Sequence, residues 1–197
     1  MAEDGPRLAV ARLFVAVKID PDVIERLCQA ESRLGNSLGG IRWVKREKLH
    51  LTLKFLGQVS DERIAPIGAA LERALAPLPR CSVASRGLGV FPDIRGPKVL
   101  WAGLDAAPLA RLAGAVEEAL AALGFAREKR EFKPHLTLGR WRDFAGRPET
   151  LRQEIEQWRA RDFGTSEIKD VILFQSVLKP DGAVHTPLRI FPLGEKA

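Results

Sequence analysis

Two histidines, His50 and His135, lie in nearly the same local sequence, Leu-His-Leu-Thr-Leu and Pro-His-Leu-Thr-Leu. In an extended strand alternate side chains point to the same face, so each histidine shares a face with the threonine two residues later, Thr52 or Thr137. The intervening leucines point to the opposite face. Each copy therefore predicts an amphipathic strand that buries leucines and presents one imidazole and one hydroxyl to a ligand.

The repetition favours a functional interpretation. The chain of 197 residues has three histidines, and the third, His185, is followed directly by Thr186, which points away from it in a strand. A lone histidine in an apolar strand is typical of a hydrogen-bonded core residue, but strand propensity does not explain two in the same setting. We interpret His50 and His135 as a functional pair and His185 as a loop or hairpin residue.

Paired imidazoles can bind a metal ion or transfer protons, and the sequence favours proton transfer. A zinc site needs three or four ligands, and neither copy has an Asp, Glu, Cys or second His at ligand spacing. Nucleophilic triads also fit poorly, because both copies supply an acid or base and no obvious nucleophile. Imidazole has a pKa of about 6.5, so one histidine can be neutral while another is protonated. We expect no metal and no cofactor.

Transfer at phosphorus suits such a pair. One group deprotonates the attacking oxygen and the other protonates the leaving oxygen, from opposite sides of the phosphorus. Hydroxyl groups beside them can donate hydrogen bonds to the non-bridging oxygens as charge develops. The pattern therefore predicts acid–base catalysis by His50 and His135, with Thr52 and Thr137 binding the phosphoryl group.

Composition sets wider limits. With 46% hydrophobic residues, the chain can form one large domain or two small lobes. Its net charge of +6 favours phosphate-bearing partners weakly, since solvated surface charge explains it equally well. No apolar run approaches the ~20 residues that span a bilayer, and the first residues lack a secretion signal pattern. With only Cys28 and Cys81, no disulfide framework is implied, and we expect a cytoplasmic protein without membrane association.

Periodicity predicts alternating strands and helices. We expect strands at 12–19, 41–44, 49–57, 81–91, 98–104, 132–138, 168–178 and 184–191, and helices at 21–34, 61–76, 109–123 and 148–161. The first two helices are expected to begin at capping side chains, Asp20 and Ser60, and the first to stop at Gly35-Asn36. A turn at 179–182 should join the last two strands.

Short hairpin links and amphipathic strands favour antiparallel or mixed sheets over a doubly wound parallel sheet. The predicted fold class is therefore α+β. We expect one bilobal domain over residues 1–197, to which each lobe contributes one histidine strand, 50–53 or 135–138.

Five segments also match a known family in its own order: 12–17, 42–44, 49–57, 132–140 and the Pro-Asp-Gly turn at 180–182. In these segments the chain resembles the 2H phosphoesterase superfamily, and most closely its RNA 2',3'-cyclic phosphodiesterases, also known as 2'-5' RNA ligases. The resemblance implies a bilobal fold with two mostly antiparallel sheets facing a central cleft and helices on the outside.

The resemblance further implies an enzyme that opens a terminal 2',3'-cyclic phosphate of RNA and leaves a 2'-phosphate. It assigns His50 as proton donor and His135 as proton acceptor, a choice that the symmetry of the two copies leaves open. The same chemistry also allows reversible 2'-5' ligation, in which a 5'-hydroxyl end is joined to the cyclic phosphate. The implied partners are RNA ends with a cyclic phosphate, including those of tRNA fragments, or small cyclic nucleotides. We expect the protein to be a monomer.

Secondary site residues have two interpretations each. Arg140 matches a family arginine near the phosphate, but strict alternation puts it opposite His135 unless Gly139 bends the chain; an exposed strand end is the alternative. Phe14 can stack on a base, as aromatic side chains do in single-stranded RNA sites, although core packing is the more common role. Trp43 and Trp101 are expected in the core or at its rim.

Alternation in the first copy also extends to its neighbours. It places Phe55 on the apolar face with the leucines. It places Lys54 on the histidine face, where the side chain could line the cleft, although a solvated sheet edge is its expected position.

Two other functions remain open at this stage. One is an enzyme for a different cyclic phosphate, either a small nucleotide metabolite or a 2'-5' oligonucleotide. The other is a non-catalytic protein that binds RNA ends, against which the presence of both histidines and both threonines counts.

Overall fold

The computed structural model describes residues 10–35, 38–180 and 182–195. Its nine strands and four helices within these ranges are, in chain order, β1 (Val10–Val17), α1 (Pro21–Leu34), β2 (Ile41–Trp43), β3 (Leu51–Ser60), α2 (Ile64–Leu75), β4 (Cys81–Phe91), β5 (Val99–Leu104), α3 (Ala106–Ala121), β6 (His135–Trp141), α4 (Pro148–Trp158), β7 (Asp162–Ile168), β8 (Asp170–Lys179) and β9 (Gly182–Pro192). Short 3₁₀ turns precede β3 and α2, at Arg46–Lys48 and Asp61–Arg63.

The strands form two sheets. Sheet 1 has the order β3-β1-β8-β9, and sheet 2 has the order β2-β6-β5-β4-β7. All neighbouring strands within both sheets pair antiparallel. The predicted α+β class with antiparallel sheets is confirmed, while the division of 1–197 into one bilobal domain stays a prediction.

One face of each sheet packs in a common apolar core with the helices. Alternate residues of β1, such as Leu13 and Val15, lie in this core together with Leu136 and Leu138 of β6. The other face of sheet 1 has a small apolar cluster of its own, made of Phe14, Ala16, Ile172 and Phe174. The strongly apolar run of β1 follows from this arrangement, since the strand is buried on both faces.

Sheet 1 is strongly curled. Its edge strands β3 and β9 are three strand spacings apart, roughly 14 Å in a flat sheet. Yet the ring centroids of His50, which directly precedes β3, and of His185, which lies in β9, are 5.3 Å apart. A Cβ built at Gly182 would also lie 3.7 Å from Nζ of Lys48. The face with the Phe14 cluster is therefore concave, and side chains from both edges converge over it.

Some predicted boundaries were wrong. β7 was not predicted, because its sequence is mostly polar, contains a glycine, and its buried residues Phe163, Ser166 and Ile168 do not alternate strictly. No side-chain capping hydrogen bond forms at Asp20 or Ser60. The Asp20 carboxylate instead accepts the backbone N–H of Glu167 at 2.9 Å, and the Asp20 N–H donates to Ser166 Oγ at 3.0 Å. The start of α1 is thus tied to β7.

The predicted hairpin at the C-terminal end is confirmed, with Lys179 paired with Gly182. Within that turn Asp181 lies outside the described residues, as does Asn36 of the predicted stop of α1.

Two predictions about the middle of β3 were wrong, and one irregularity explains both. The pairing with β1 slips between Thr52, opposite Ala16, and Lys54, opposite Val15, so that Leu53 and Lys54 both point to the core side. Such a bulge reverses the alternation that follows it. Phe55 consequently joins the histidine face, 68% exposed, instead of the apolar face.

Lys54 is therefore buried, only 7% exposed, rather than at a solvated edge. Its ammonium group donates to Glu117 Oε1 of α3 at 2.6 Å and to the carbonyl oxygen of Ala126 at 2.8 Å. A buried ammonium needs such partners because transfer from water is costly. The pair links the histidine strand of sheet 1 to α3.

Glu117→Ala should lower the free energy of unfolding by about 3–5 kcal/mol, because it leaves the Lys54 ammonium buried without its counter-charge. The double variant Lys54→Met/Glu117→Leu should recover most of that loss. Glu167→Ala, which breaks the partly exposed pair with Lys169, is the control and should cost less than about 1 kcal/mol. Urea unfolding measures all three, and equal losses for both single variants would contradict the account.

Candidate active site

Both motif histidines are held in the same way. His50 Nδ1 lies 2.7 Å from the carbonyl oxygen of Lys48, and His135 Nδ1 lies 2.7 Å from that of Lys133. A carbonyl oxygen only accepts, so each Nδ1 carries a hydrogen and donates it. This fixes the tautomer and leaves each Nε2 free to accept or give a proton at a ligand.

The repeated motif therefore includes one more residue besides the histidine and the threonine. A lysine stands two residues before each histidine, and its carbonyl group orients the ring. Sequence reasoning missed this element, although the repeated Lys-x-His-x-Thr spacing was a visible signal. The orienting atom belongs to the backbone, so the contact itself requires the local chain shape and not the lysine side chain.

His50 lies in an aromatic enclosure on the concave face of sheet 1. Its ring centroid is 5.1 Å from Phe14, 6.3 Å from Phe174 and 5.3 Å from His185. Burial lowers the pKa of His50, and the hydrogen bond with the Lys48 carbonyl partly offsets that shift. The unliganded site therefore favours the neutral imidazole, whereas a bound phosphate anion would favour the imidazolium form.

His135 stands against aromatic side chains as well, on sheet 2. Its ring lies edge-on to Phe91, with centroids 5.0 Å apart, and 6.4 Å from Trp101. Trp101 is thus on the histidine face of sheet 2, beside the site rather than in the core. The histidine strands β3 and β6 are in contact with each other, which brings the two motif copies into one region of the molecule.

The threonines occupy the positions that alternation predicts. Thr52 is opposite Ala16, a member of the concave-face cluster, so its side chain shares the face of His50. Thr137 is opposite Trp101 on the face that carries His135. Both threonines are half-buried.

Arg140 also lies on the histidine face. The pairing of β6 with β5 slips between Thr137 and Gly139, so Leu138 and Gly139 both face the core and Arg140 returns to the face of His135. Glycine is needed at position 139 for this close packing, because a Cβ there would lie only 2.5 Å from Cδ1 of Ile41. The chain bend that the sequence left open at this residue is present, and the Arg140 side chain is exposed.

Phe14 is 2% exposed, so the structure disfavours the base-stacking role considered for it. Its ring stacks on Phe174 at 5.2 Å and forms the floor beneath His50. The exposed aromatic ring of this face is Phe55, whose centroid is 6.0 Å from that of Phe14.

His185 was predicted as an ordinary hairpin residue, and that interpretation was incomplete. It lies in β9 opposite Ser176, and its ring meets Phe14 edge-on at 4.9 Å. Its Nδ1 is buried without a hydrogen-bond partner. Burial lowers the pKa of His185, and the nearby His50 and Lys48 lower it further. No local sequence signal reveals this position, because the curl of sheet 1 creates it.

Metal ligands do not cluster in the described part of the chain, where no group of three or more His, Cys, Asp or Glu could hold an ion. Among the described helices none is long and apolar enough to cross a membrane.

Comparison with known proteins identifies the family. The model of the family described as LigT-like phosphoesterases matches residues 17–101 and 104–185. The chain belongs to the LigT-like phosphoesterases. The predicted 2H phosphoesterase resemblance is thereby confirmed, and the matched ranges contain all three histidines.

Relatives within this family cover almost the whole chain. The RNA 2',3'-cyclic phosphodiesterase of Archaeoglobus fulgidus is 37% identical over 182 residues, which are 91% of this chain and 99% of the relative. The protein of the same name from Methanocaldococcus jannaschii is 32% identical over 90% of this chain and 98% of its own length.

Solved structures show the same fold. The protein TT0787 of Thermus thermophilus is 29% identical, with a TM-score of 0.80 over 94% of this chain and 100% of that one. LigT of Escherichia coli in complex with 3'-AMP is 24% identical, with a TM-score of 0.78 over 95% of this chain and 100% of that one. The latter likeness is one of fold alone.

The His50–His185 contact predicts a coupled titration. In His50→Gln the pKa of His185 should rise, because the positive charge that opposes its protonation has gone. The pKa of His185 is lowered in the folded protein, so the free energy of unfolding should decrease as pH falls from the ordinary histidine range towards that lowered pKa. This decrease should be smaller in His50→Gln. NMR titration of the ring measures the shift. Thr52→Val, which removes no charge, is the control, and an unchanged His185 pKa in His50→Gln would contradict the coupling.

Proposed function

We propose that the protein hydrolyses terminal 2',3'-cyclic phosphates of RNA to 2'-phosphates by acid–base catalysis with His50 and His135. The observation that carries the proposal is the shared anchoring of the two rings, which turns both Nε2 atoms into the available proton-transfer atoms. The names of the relatives from Archaeoglobus fulgidus and Methanocaldococcus jannaschii support this substrate.

In the proposed reaction a water molecule attacks the phosphorus while His135 Nε2 takes one of its protons. The bond from phosphorus to the 3' oxygen breaks, and His50 donates the proton on its Nε2 to that oxygen. The products are a 2'-phosphate and a free 3'-hydroxyl, with His50 neutral and His135 protonated. Proton exchange with solvent restores the starting state.

The environment of His50 fits the donor role only when an anion is present. Burial lowers its pKa, so the free enzyme carries less of the imidazolium form than an exposed histidine would. The negative charge of the bound cyclic phosphate raises the pKa of a neighbouring imidazole. Substrate binding and protonation of the donor are therefore coupled in this proposal.

Thr52 and Thr137 donate hydrogen bonds to the non-bridging oxygens in the proposed complex, and Arg140 attracts the phosphate from the same face of sheet 2. Donors already in place are most effective where charge develops in the transition state. In this proposal the exposed ring of Phe55, and not the buried ring of Phe14, stacks on a base of the RNA.

The reactive group itself selects RNA, since a 2',3'-cyclic phosphate requires a 2'-hydroxyl. When a 5'-hydroxyl takes the place of water, the same two proton transfers form a 2'-5' linkage and free the 3'-hydroxyl, which is ligation. Water is in large excess over RNA 5' ends, so we propose ligation only as a minor reaction, which is reversible because the 3'-hydroxyl can attack the new diester and release the 5'-hydroxyl again.

The test uses His50→Ala and His135→Ala with an oligoribonucleotide that ends in a 2',3'-cyclic phosphate, in the presence of a chelator. Each variant should lose roughly 10²–10⁴-fold in rate, the contribution of a general acid or base. The wild type should release only the 2'-phosphate, which phosphorus NMR distinguishes from the 3' isomer. Circular dichroism provides the folding control.

Three outcomes would contradict the proposal. Near-normal turnover by both variants would remove the histidine mechanism. Loss of wild-type activity with the chelator, restored by one divalent ion, would indicate a metal enzyme. Binding of the RNA end without any turnover by the wild type would indicate the non-catalytic alternative.

A further inference from the structure

A cavity of about 390 Å³ lies at the outer edge of β4, next to α4. The pairing of β4 with β7 ends where Arg86 meets Asp162, and the Gly87 N–H still donates to the carbonyl oxygen of Arg161, so no described strand covers this edge beyond Gly87. Helix α4 packs against β4 there. The cavity is lined by Arg86, Gly87, Leu88, Ile94, Trp101, Arg152, Ile155, Glu156 and Arg159.

Trp101 connects this cavity with the histidine site. A Cβ at Gly89 would overlap Cζ2 of Trp101, so the indole lies across the glycine, over β4. The same indole has its ring centroid 6.4 Å from that of His135. Its Nε1–H is buried and has no hydrogen-bond partner. One side chain thus borders both the cavity and the catalytic imidazole and has an unused donor.

The charge of the cavity is positive. Three arginines line it against a single carboxylate, Glu156. Arg159 is paired with Glu156 at 3.3 Å, and Arg86 lies 3.6 Å from Asp162. Arg152 has no acidic partner among the described residues. Guanidinium groups match phosphate oxygens in geometry and charge, so an anion of this class is the chemically suited ligand.

The register gives the distance to the reacting centre. Arg86 is opposite Gly103, and Gly103 is opposite His135 on the same face of sheet 2. Two strand spacings therefore separate Arg86 from His135, roughly 10 Å between backbones. Gly103 has no side chain to block the space between them. This separation suits a second group of the same bound chain rather than the reacting phosphate itself.

We propose that this cavity binds the phosphodiester group of the nucleotide that precedes the terminal cyclic phosphate, through Arg152 together with Arg86 and Arg159. The proposal rests on the proposed function, because it takes RNA as the substrate. It deepens that function by assigning the site that distinguishes an RNA chain from a cyclic mononucleotide. Trp101 forms the boundary between this subsite and the catalytic centre.

The experiment compares Arg152→Ala with Arg73→Ala, which removes an exposed arginine from α2, away from the cavity. Both are assayed on an oligoribonucleotide with a cyclic-phosphate end and on a 2',3'-cyclic mononucleotide. Arg152→Ala should lower kcat/KM for the oligonucleotide roughly tenfold, mainly through KM, since it removes a charged hydrogen bond to substrate. Its activity on the mononucleotide should equal that of the wild type and of Arg73→Ala.

A salt series and a binding measurement complete the test. The slope of log affinity against log salt for an oligoribonucleotide ending in a 2'-phosphate should fall by roughly 0.7 in Arg152→Ala, the loss of about one phosphate contact to a single strand. For a nucleoside 2'-phosphate the slope should not change.

The outcomes distinguish failure of the proposed subsite from failure of the proposed function. If Arg152→Ala and Arg73→Ala affect the oligonucleotide equally while the mononucleotide is still hydrolysed, the subsite is wrong and the proposed function stands. If neither substrate is hydrolysed by the wild type but Arg152→Ala alone weakens oligonucleotide binding, the proposed function is wrong and the subsite stands. Equal losses on both substrates in Arg152→Ala would also overturn the subsite, because they would indicate a structural effect.

Discussion

The hydrogen bond from each motif imidazole to the carbonyl group two residues earlier is the constraint on which the site depends. It selects the tautomer, orients the ring and leaves Nε2 as the atom that exchanges protons. Because the bond is local, each motif copy carries its own anchor wherever the sheet places it. Two independent sheets can therefore supply two chemically equivalent groups, which then differ only through their surroundings.

The surroundings of His50 and His135 differ because sheet 1 is curled around His50. His50 is enclosed because strands from both edges converge over the Phe14 cluster and bring His185 within 5.3 Å of it. Desolvation there lowers the pKa of His50, and two neighbouring imidazoles resist holding two protons. On sheet 2 the aromatic side chains beside His135 include Trp101, which lies across Gly89 and also lines the arginine-rich cavity.

Local periodicity was sufficient to predict most strands, the antiparallel class and the shared face of His50 with Thr52. It failed at Lys54 and Phe55, which follow a slip in the register of β3 with β1, and it left the face of Arg140 open until the slip of β6 against β5 decided it. Such slips depend on how two strands pair, and one strand's sequence does not contain them. His185 was misjudged for a related reason, since its position beside His50 arises from the curl of a sheet whose strands are far apart in sequence.

The most direct test of the account is the protonation state of the four ring nitrogens of His50 and His135, read from nitrogen-15 chemical shifts with a bound nucleoside 2'-phosphate. We expect both Nδ1 atoms to be protonated at every pH at which the protein is folded, while the Nε2 atoms alone titrate. An unprotonated Nδ1 in either histidine would contradict the carbonyl anchoring, and with it the assignment of the two Nε2 atoms as acid and base.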